Sequence, residues 1–290
     1  MKRLEFAAVV LTMAMVVGFV ACSSDEDDKV EPSVVPTITM TDANGKPMQV
    51  MAVGDVQFQY SGDGKLAGFN DGEADYRIDG QTFKMTFKKG YTADFALNQD
   101  GLVSRVHVVC DYTGDDGTYD RNEATMTYTY NDARQLTGMT SVTHYDYKLD
   151  EYRQATFTRE VTQTNTWENG NLVSAKQIVK ESDSKYKAQH NFHFEYGDQL
   201  NQAKQFPVCM AESMAGWQEL GVLCALGLYG VGPANLPTFF SNGSWLIDFD
   251  GESMNLIPYE LSFEINENGT IRTEHVDSNG RLTTFGYQYK

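Results

Sequence analysis

The stretch Ala124-Thr125-Met126-Thr127-Tyr128-Thr129-Tyr130 decides the fold, because its apolar and polar side chains alternate without a break. Successive side chains of a strand point to opposite faces, so this alternation predicts a strand with one buried and one exposed face. The same aromatic-rich pattern returns near residues 55–60, 83–88, 190–196, 261–266 and 284–289. The sequence therefore predicts an all-β fold built of antiparallel strands.

Turn signals separate these alternating runs. Asn-Gly and Asp-Gly pairs supply the positive φ angles that tight hairpins require. They occur at Asp79-Gly80, Asn169-Gly170, Asn268-Gly269 and Asn279-Gly280. We therefore expect neighbouring strands to be joined by short hairpins into a meander.

A recurring unit consists of an aromatic–x–aromatic triplet, a polar turn and an aliphatic residue. Two examples are Phe58-Gln59-Tyr60 with Leu66 and Tyr128-Thr129-Tyr130 with Leu136. The aliphatic residue often returns after about 35 residues, which predicts a repeat of two to four strands. Hairpins of any antiparallel sheet would also produce such a pattern. The expected architecture is a curled sheet or partly closed barrel.

One segment breaks the alternation. Residues 207–237 carry little charge and are rich in Met, Ala, Leu and Gly. Met, Ala and Leu favour helix, whereas the glycines weaken it. We expect a short helical, apolar insert at about 208–232 that packs on the aromatic face of the sheet as a buried helix pair or plug.

Composition limits the classes of function. The 290 residues include 23 Lys and Arg against 40 Asp and Glu, a formal net charge of −17. Phosphate contacts require clustered Lys and Arg, so no nucleic-acid partner is expected. A hydrophobic fraction of 41% is sufficient for a folded core.

The first 21 residues have the features of a signal peptide. Lys2 and Arg3 precede an apolar run that is too short to span a bilayer comfortably. The run ends in Phe19-Val20-Ala21-Cys22, which resembles the bacterial lipobox, although Phe19 stands where an aliphatic residue is usual. The resemblance implies cleavage before Cys22 and acylation of its thiol. An ordinary secretory signal is the alternative.

Residues 22–36 form the next predicted segment, an acidic flexible tether. It contains Ser23-Ser24-Asp25-Glu26-Asp27-Asp28 and shows no periodicity, so it cannot bury enough surface to order itself. An acidic run after an acylated cysteine resembles the surface-export signal of Bacteroidetes-type lipoproteins. This predicts an outer-membrane lipoprotein facing the cell exterior, with the periplasmic face as the alternative. A single β-rich domain follows over residues 37–290.

Cysteine and histidine patterns favour neither a disulfide framework nor a metal site. With Cys22 acylated, an odd number of cysteines remains: Cys110, Cys209 and Cys224. A Cys209–Cys224 bridge is one option, and a buried thiol is the expected state of Cys224. His190 and His193 should point to opposite faces of their strand, so they are not expected to share a metal.

Two acidic clusters have the residue types of calcium ligands. One contains Asp111, Asp115, Asp116, Asp120 and Glu123; the other, residues 264–275, resembles an EF-hand loop but lacks the correct residue at both ends. Solvated hairpin turns are the preferred interpretation of both. No metal or other cofactor is expected.

No catalytic motif is found. The sequence contains no Gly-x-Ser-x-Gly elbow, Walker loop or His-Glu-x-x-His motif. Paired carboxylates are uninformative in a chain with 40 acids. The protein is therefore not expected to be an enzyme.

A sharper resemblance rests on Leu226-Gly227-Leu228-Tyr229-Gly230 and Asn235-Leu236-Pro237, set among repeated Tyr/Phe, Asn-Gly and Leu positions behind a lipoprotein signal. Together these look like a Bacteroidetes lipoprotein domain of unknown function described as porin-like. The unit is also loosely similar to the tyrosine–aspartate repeats of Rhs-type proteins. The resemblance implies no activity and no catalytic residues.

The porin-like description raises the question of a membrane barrel. A porin lumen is wet and polar, whereas the insert needs an apolar surface, so the aromatic faces are expected to point inward. A membrane barrel is therefore the less favoured interpretation.

The sequence favours a binding or scaffold module over two alternatives. Its partners would be the membrane, through the lipid anchor, and a glycan, peptide or protein. Trp167 is the aromatic residue most suited to contact a ligand, at a hairpin tip beside Asn169-Gly170, although a core position is the commoner one for tryptophan. The alternatives are a carrier of an apolar ligand between sheet and insert, and a hydrolase.

Overall fold

The computed structural model describes residues 40–70, 75–79, 84–87, 90–114, 117–150, 153–185, 187–210, 218–247 and 257–290. The predicted signal peptide, Cys22 and the acidic tether lie outside the described residues.

Strands dominate the described part of the chain, as predicted. Sixteen of them, β3 to β18, form one closed barrel, and β1 and β2 form a separate small hairpin. The strands are β1 (Met40–Thr41), β2 (Pro47–Met48), β3 (Val50–Val53), β4 (Val56–Tyr60), β5 (Leu66–Asn70), β6 (Asp75–Asp79), β7 (Lys84–Phe87), β8 (Tyr91–Leu97), β9 (Val103–Thr113), β10 (Tyr119–Tyr130), β11 (Leu136–Lys148), β12 (Gln154–Glu168), β13 (Asn171–Glu181), β14 (Lys187–Leu200), β15 (Asn235–Ile247), β16 (Ile257–Ile265), β17 (Ile271–Ser278) and β18 (Arg281–Tyr289).

The barrel is an antiparallel meander in which each strand pairs with the next along the chain. It closes where β18 meets β3, with Tyr287 opposite Val53 and Tyr289 opposite Val50. Gln49 and Lys290 exchange two backbone hydrogen bonds of 2.9 Å beside this seam. The all-β fold class is thus confirmed, and the sheet closes completely.

Alternation places the apolar side chains inside the barrel. On β10, Ala124 and Met126 have no exposed surface, whereas Thr127 and Thr129 on the opposite face are exposed. The same division holds on β14, where Phe192 and Phe194 are buried and His193 and Glu195 are exposed. The core is therefore the barrel interior, and the polar face is its outside.

The insert between β14 and β15 is a plug, defined here as residues 201–210 and 218–234. It has a short helix starting at residue 208 and a 3-10 helix at Gln218–Leu226. Leu223, Cys224 and Tyr229 have no exposed surface, and the Tyr229 ring contacts Tyr128 of β10 with centroids 5.0 Å apart. The predicted helical, buried insert is confirmed. None of the helices in the described ranges has the length and hydropathy of a membrane span.

A ring of hydrogen bonds surrounds the plug end, defined as the barrel end where β14 enters and β15 leaves the plug. Here an aromatic side chain of one hairpin donates to a backbone carbonyl of a neighbouring hairpin. The pairs are Tyr60 with Val50 (2.8 Å), Tyr130 with Val103 (2.7 Å), Trp167 with Leu136 (2.8 Å), Tyr196 with Leu172 (2.8 Å) and Tyr289 with Ile271 (2.7 Å). These contacts give a physical role to the aromatic positions found in the sequence; a true sequence repeat stays a prediction.

Candidate functional site

Two rows of outward side chains cross strands β9 to β12 toward the far end of the barrel, opposite the plug end. In the first row, Glu123 of β10 lies between Val109 of β9 and His144 of β11, and Thr158 of β12 follows. The second row runs through Asp111, Arg121, Asp146 and Thr156 in the same strand order. The register of the four strands therefore assembles residues from four separate sequence segments.

A cavity of about 560 Å³ is lined by both rows and by the residues between them. We call it the outer trough. The rows lie two residues apart along each strand, about 7 Å, and three strand spacings give a length of about 14 Å. Ser182, after β13, extends the lining at one end. The outer trough therefore has the dimensions of a short extended chain.

The charged groups of the outer trough are held by neighbouring side chains. Arg121 Nε lies 3.1 Å from Asp111 Oδ1, and Glu123 Oε1 lies 2.9 Å from His107 Nε2. Asp146 Oδ1 accepts hydrogen bonds of 3.2 Å from the hydroxyls of Tyr119 and Thr156. These contacts order the side chains before any ligand arrives, which lowers the entropy cost of binding.

The tyrosine beside the trough is a hydrogen-bond donor at physiological pH. Burial, followed by the hydrogen bond to Asp146, raises the pKa of Tyr119. The Arg121 guanidinium lies 5.0 Å from the centre of the Tyr119 ring, a cation–π distance. The outer trough thus combines three carboxylates, one guanidinium, one imidazole and hydroxyls, with the Tyr119 phenol beside it.

The wall behind the trough is stiffened from inside the barrel. Arg159 of β12 is 8% exposed, forms an ion pair with Glu181, and donates to the Tyr145 hydroxyl at 3.2 Å. Its guanidinium lies 4.9 Å from the Tyr145 ring centre, and that ring stacks on Phe157 at 4.8 Å. Burial raises the pKa of Tyr145. These inward contacts fix the backbone that carries the outer rows.

The two neighbouring histidines point to opposite faces, as predicted. His190 is 8% exposed and faces the interior, whereas the His193 side chain is 57% exposed on the outside. Burial, and to a lesser degree the charge of Arg159, lowers the pKa of His190 to about 4. His190 is therefore neutral at physiological pH.

The described cysteines form no disulfide, so the optional Cys209–Cys224 bridge is absent. Cys224 is fully buried, as expected, and burial raises the pKa of its thiol. In the part of the chain that the structure describes, no three His, Cys, Asp or Glu residues gather as a metal site. Asp115 and Asp116 of the first acidic cluster lie outside that part.

Trp167, the predicted ligand contact, belongs to the hydrogen-bonded ring at the plug end. Its indole N–H donates to the Leu136 carbonyl, and its half-buried ring packs edge-on against Phe206 of the plug, with centroids 6.3 Å apart. The structure does not bring it near the outer trough. The sequence placed Asp111 and Glu123 of the trough only in an acidic cluster and did not reveal Arg121 or His144 as their neighbours, because strand register alone brings these residues together.

The chain matches no protein-family model and no curated protein at a significant level. Solved structures do resemble it, including two porin-like proteins. One is a porin-like protein from Bacteroides vulgatus ATCC 8482, with a TM-score of 0.53, 13% sequence identity, and coverage of 87% of this chain and 98% of that chain. The chain shares that fold. The other is a porin-like protein from Bacteroides uniformis ATCC 8492, with a TM-score of 0.49, 14% identity, and coverage of 90% and 100%.

The porin-like resemblance stated from the sequence is thus confirmed at the level of the fold. At 13% identity the comparison concerns the arrangement of strands alone. The lipoprotein signal and the Rhs-type repeat stay predictions.

Proposed function

We propose that the protein is a lipid-anchored binding module at the outer membrane, which holds a polar ligand in the outer trough. The observation that carries this proposal is the open, ordered polar trough on a barrel whose apolar side chains point inward. The ligand would be a glycan, a peptide or a segment of a partner protein.

The charged side chains on the outer face of the barrel support the proposal that this face contacts water. Exposed charged side chains lie on the outside of β9, β10, β13, β14 and β16; they include Arg105, Arg121, Glu123, Lys176, Lys180, Glu195, Glu260 and Glu264. A lysine or arginine at the bilayer midplane destabilises a membrane barrel by about 2–4 kcal/mol. We therefore favour an anchored, water-exposed barrel over a membrane-spanning one.

The anchor is the second part of the proposal. It rests on Cys22 and the acidic tether that follows it, together with the outer-membrane type of the fold. Attachment through acyl chains would leave the outer trough free to meet ligands, on the outward face of the cell or in the periplasm.

Replacing Cys22 with alanine tests the anchor. We expect the variant to lose labelling by a palmitate analogue and to be either an unprocessed precursor or a soluble form in the aqueous fraction of a detergent phase partition. A variant without the N-terminal segment that still stays in the detergent phase would refute the water-exposed barrel.

The charge of the outer trough limits the classes of ligand that can bind there. Asp111, Glu123 and Asp146 outnumber Arg121 there, and the whole chain carries −17. Like charges repel anionic ligands. Neutral glycans or basic peptides are therefore favoured over acidic ones. We favour binding over catalysis because the trough carboxylates are occupied by Arg121, His107 and hydroxyl donors.

The ligand can be sought with the mature chain on arrays of neutral glycans, acidic glycans and basic peptides. A double variant, Glu123→Ala with His144→Ala, should weaken the best hit at least tenfold, because two trough groups are removed. His193→Ala, an exposed histidine on the same face but on β14, serves as the control and should bind like the original chain. Equal binding by the original chain, the double variant and the control would show that the ligand does not bind in the outer trough.

A further inference from the structure

A row of polar side chains crosses the inside of the barrel. Gln163, Gln177, His190 and Ser244 lie opposite one another on β12, β13, β14 and β15. Gln177 Nε2 donates to Gln163 Oε1 at 2.7 Å, and His190 Nδ1 is hydrogen-bonded to Ser244 Oγ. The interior therefore contains a polar strip in addition to its apolar core.

Two buried atoms beside this strip have no hydrogen-bond partner within the described structure. They are His190 Nε2 and Asn242 Oδ1. Buried polar atoms of native proteins are almost always satisfied by protein, water or ligand. These two atoms therefore mark a place where a further group binds.

The register brings the two atoms to one corner of the interior. His190 lies opposite Ser244, and Phe192, two residues further along β14, lies opposite Asn242. His190 and Asn242 are thus diagonal neighbours on adjacent strands, roughly 7–8 Å apart at the backbone. Diagonal neighbours at this spacing are within reach of long side chains, which allows one oxygen atom placed between them to contact both.

The hydrogen-bonding chemistry selects a hydroxyl group. Asn242 Oδ1 is an acceptor and requires a donor. When the Ser244 hydroxyl donates to His190 Nδ1, the neutral ring carries its proton on Nε2 and donates there. A hydroxyl oxygen accepts from Nε2–H and donates its own hydrogen to Asn242.

The neighbouring surface is aromatic. Phe192 lies between the two polar residues and stacks on Phe240, with centroids 6.0 Å apart and planes at 6°. Phe240 stacks in turn on Tyr259 at 5.0 Å. Arg159, whose charge acts on His190, is already paired with Glu181, so no charged ligand is required.

We propose that this interior corner binds an uncharged alcohol. Its hydroxyl oxygen bridges His190 Nε2 and Asn242 Oδ1, and its hydrocarbon part lies against Phe192 and Phe240. The site is separate from the outer trough and independent of the function proposed for it. The alcohol can be a free small molecule or the hydroxyl end of a lipid.

The test uses the mature chain with ¹⁵N-labelled histidine and follows the His190 Nε2 resonance by NMR. Cyclohexanol should shift this resonance saturably. Cyclohexanone, which has the same ring but cannot donate to Asn242, should bind at least tenfold more weakly. This comparison needs no variant, so it remains valid if a substitution prevents folding.

Two variants locate the site. Asn242→Leu should weaken cyclohexanol binding about tenfold. Asn191→Leu, an outward asparagine on β14, should leave it unchanged. Extraction of the purified chain with organic solvent distinguishes the two sources of the alcohol. A co-purified lipid alcohol indicates a lipid ligand, and an extract without one indicates a free small molecule. Equal affinity for the alcohol and the ketone, or a bound water at Nε2–H that cyclohexanol does not displace, would overturn the proposal.

Discussion

Replacing Glu274 with alanine should lower the free energy of unfolding by about 4 kcal/mol, because three hydrogen bonds to a buried carboxyl group are lost. Glu274 of β17 has no exposed surface. Its carboxylate accepts hydrogen bonds from the backbone N–H groups of Val208 (2.8 Å) and Cys209 (2.9 Å) and from the Tyr287 hydroxyl (2.7 Å). The substitution removes an acceptor from all three donors, of which the Val208 N–H keeps a contact of 3.1 Å with the Tyr287 hydroxyl oxygen. Urea unfolding followed by tryptophan fluorescence measures the loss.

The matched control is Glu264→Ala on the neighbouring strand. Glu264 is exposed and pairs with Arg272 at 2.8 Å. Solvent-exposed ion pairs contribute little to stability, so the urea midpoint should hardly move. Similar losses for the two variants would show that Glu274 does not hold the plug to the barrel wall.

Gly230→Ala should cost about 3 kcal/mol or more, because a methyl group at this position has no room. Gly230 has φ +99°, and a Cβ atom would lie 2.3 Å from the Arg134 carbonyl oxygen. The adjacent Val231 N–H donates to that same carbonyl at 2.9 Å, so the two segments cannot separate without losing a hydrogen bond. Backbone strain and overpacking together account for the size of the effect.

Gly280→Ala is the control that separates the effect of backbone strain from the effect of overpacking. Gly280 has φ +82°, but no atom lies within 4 Å of the Cβ position. This variant should therefore lose only the stability due to the strained backbone, about 1–2 kcal/mol. Thermal unfolding of both variants measures the difference. A loss at Gly280 as large as that at Gly230 would contradict close packing of the plug against the β10–β11 turn.

The arrangement of the strands was largely predictable, because a two-residue period and Asn-Gly turns are local signals. Tyr128 and Phe194 were assigned to the buried face from alternation alone, and both are buried. Closure was not predictable. It depends on the accumulated twist and stagger of sixteen strands, and no short stretch of sequence encodes that sum.

The candidate site was beyond sequence reasoning for a similar reason. Arg121 and His144 are separated by a hairpin, and their adjacency depends on the register of β10 with β11. Trp167 shows a different limit of sequence analysis. Its place beside a hairpin turn was visible in the sequence, but the carbonyl of Leu136 that its indole contacts was not. A tryptophan or tyrosine at a turn can form the hydrogen bond of its polar group within the protein as readily as with a ligand.

The barrel can close at the seam between β18 and β3 only after the last strand has been synthesised. Strand β3 lies near the start of the domain, and its partner is completed only at Tyr289. Until then, a growing or translocating chain exposes two unpaired strand edges, which are templates for aggregation. The long separation between the partners also slows folding. Aggregation therefore competes with closure of the barrel until the last strand pairs.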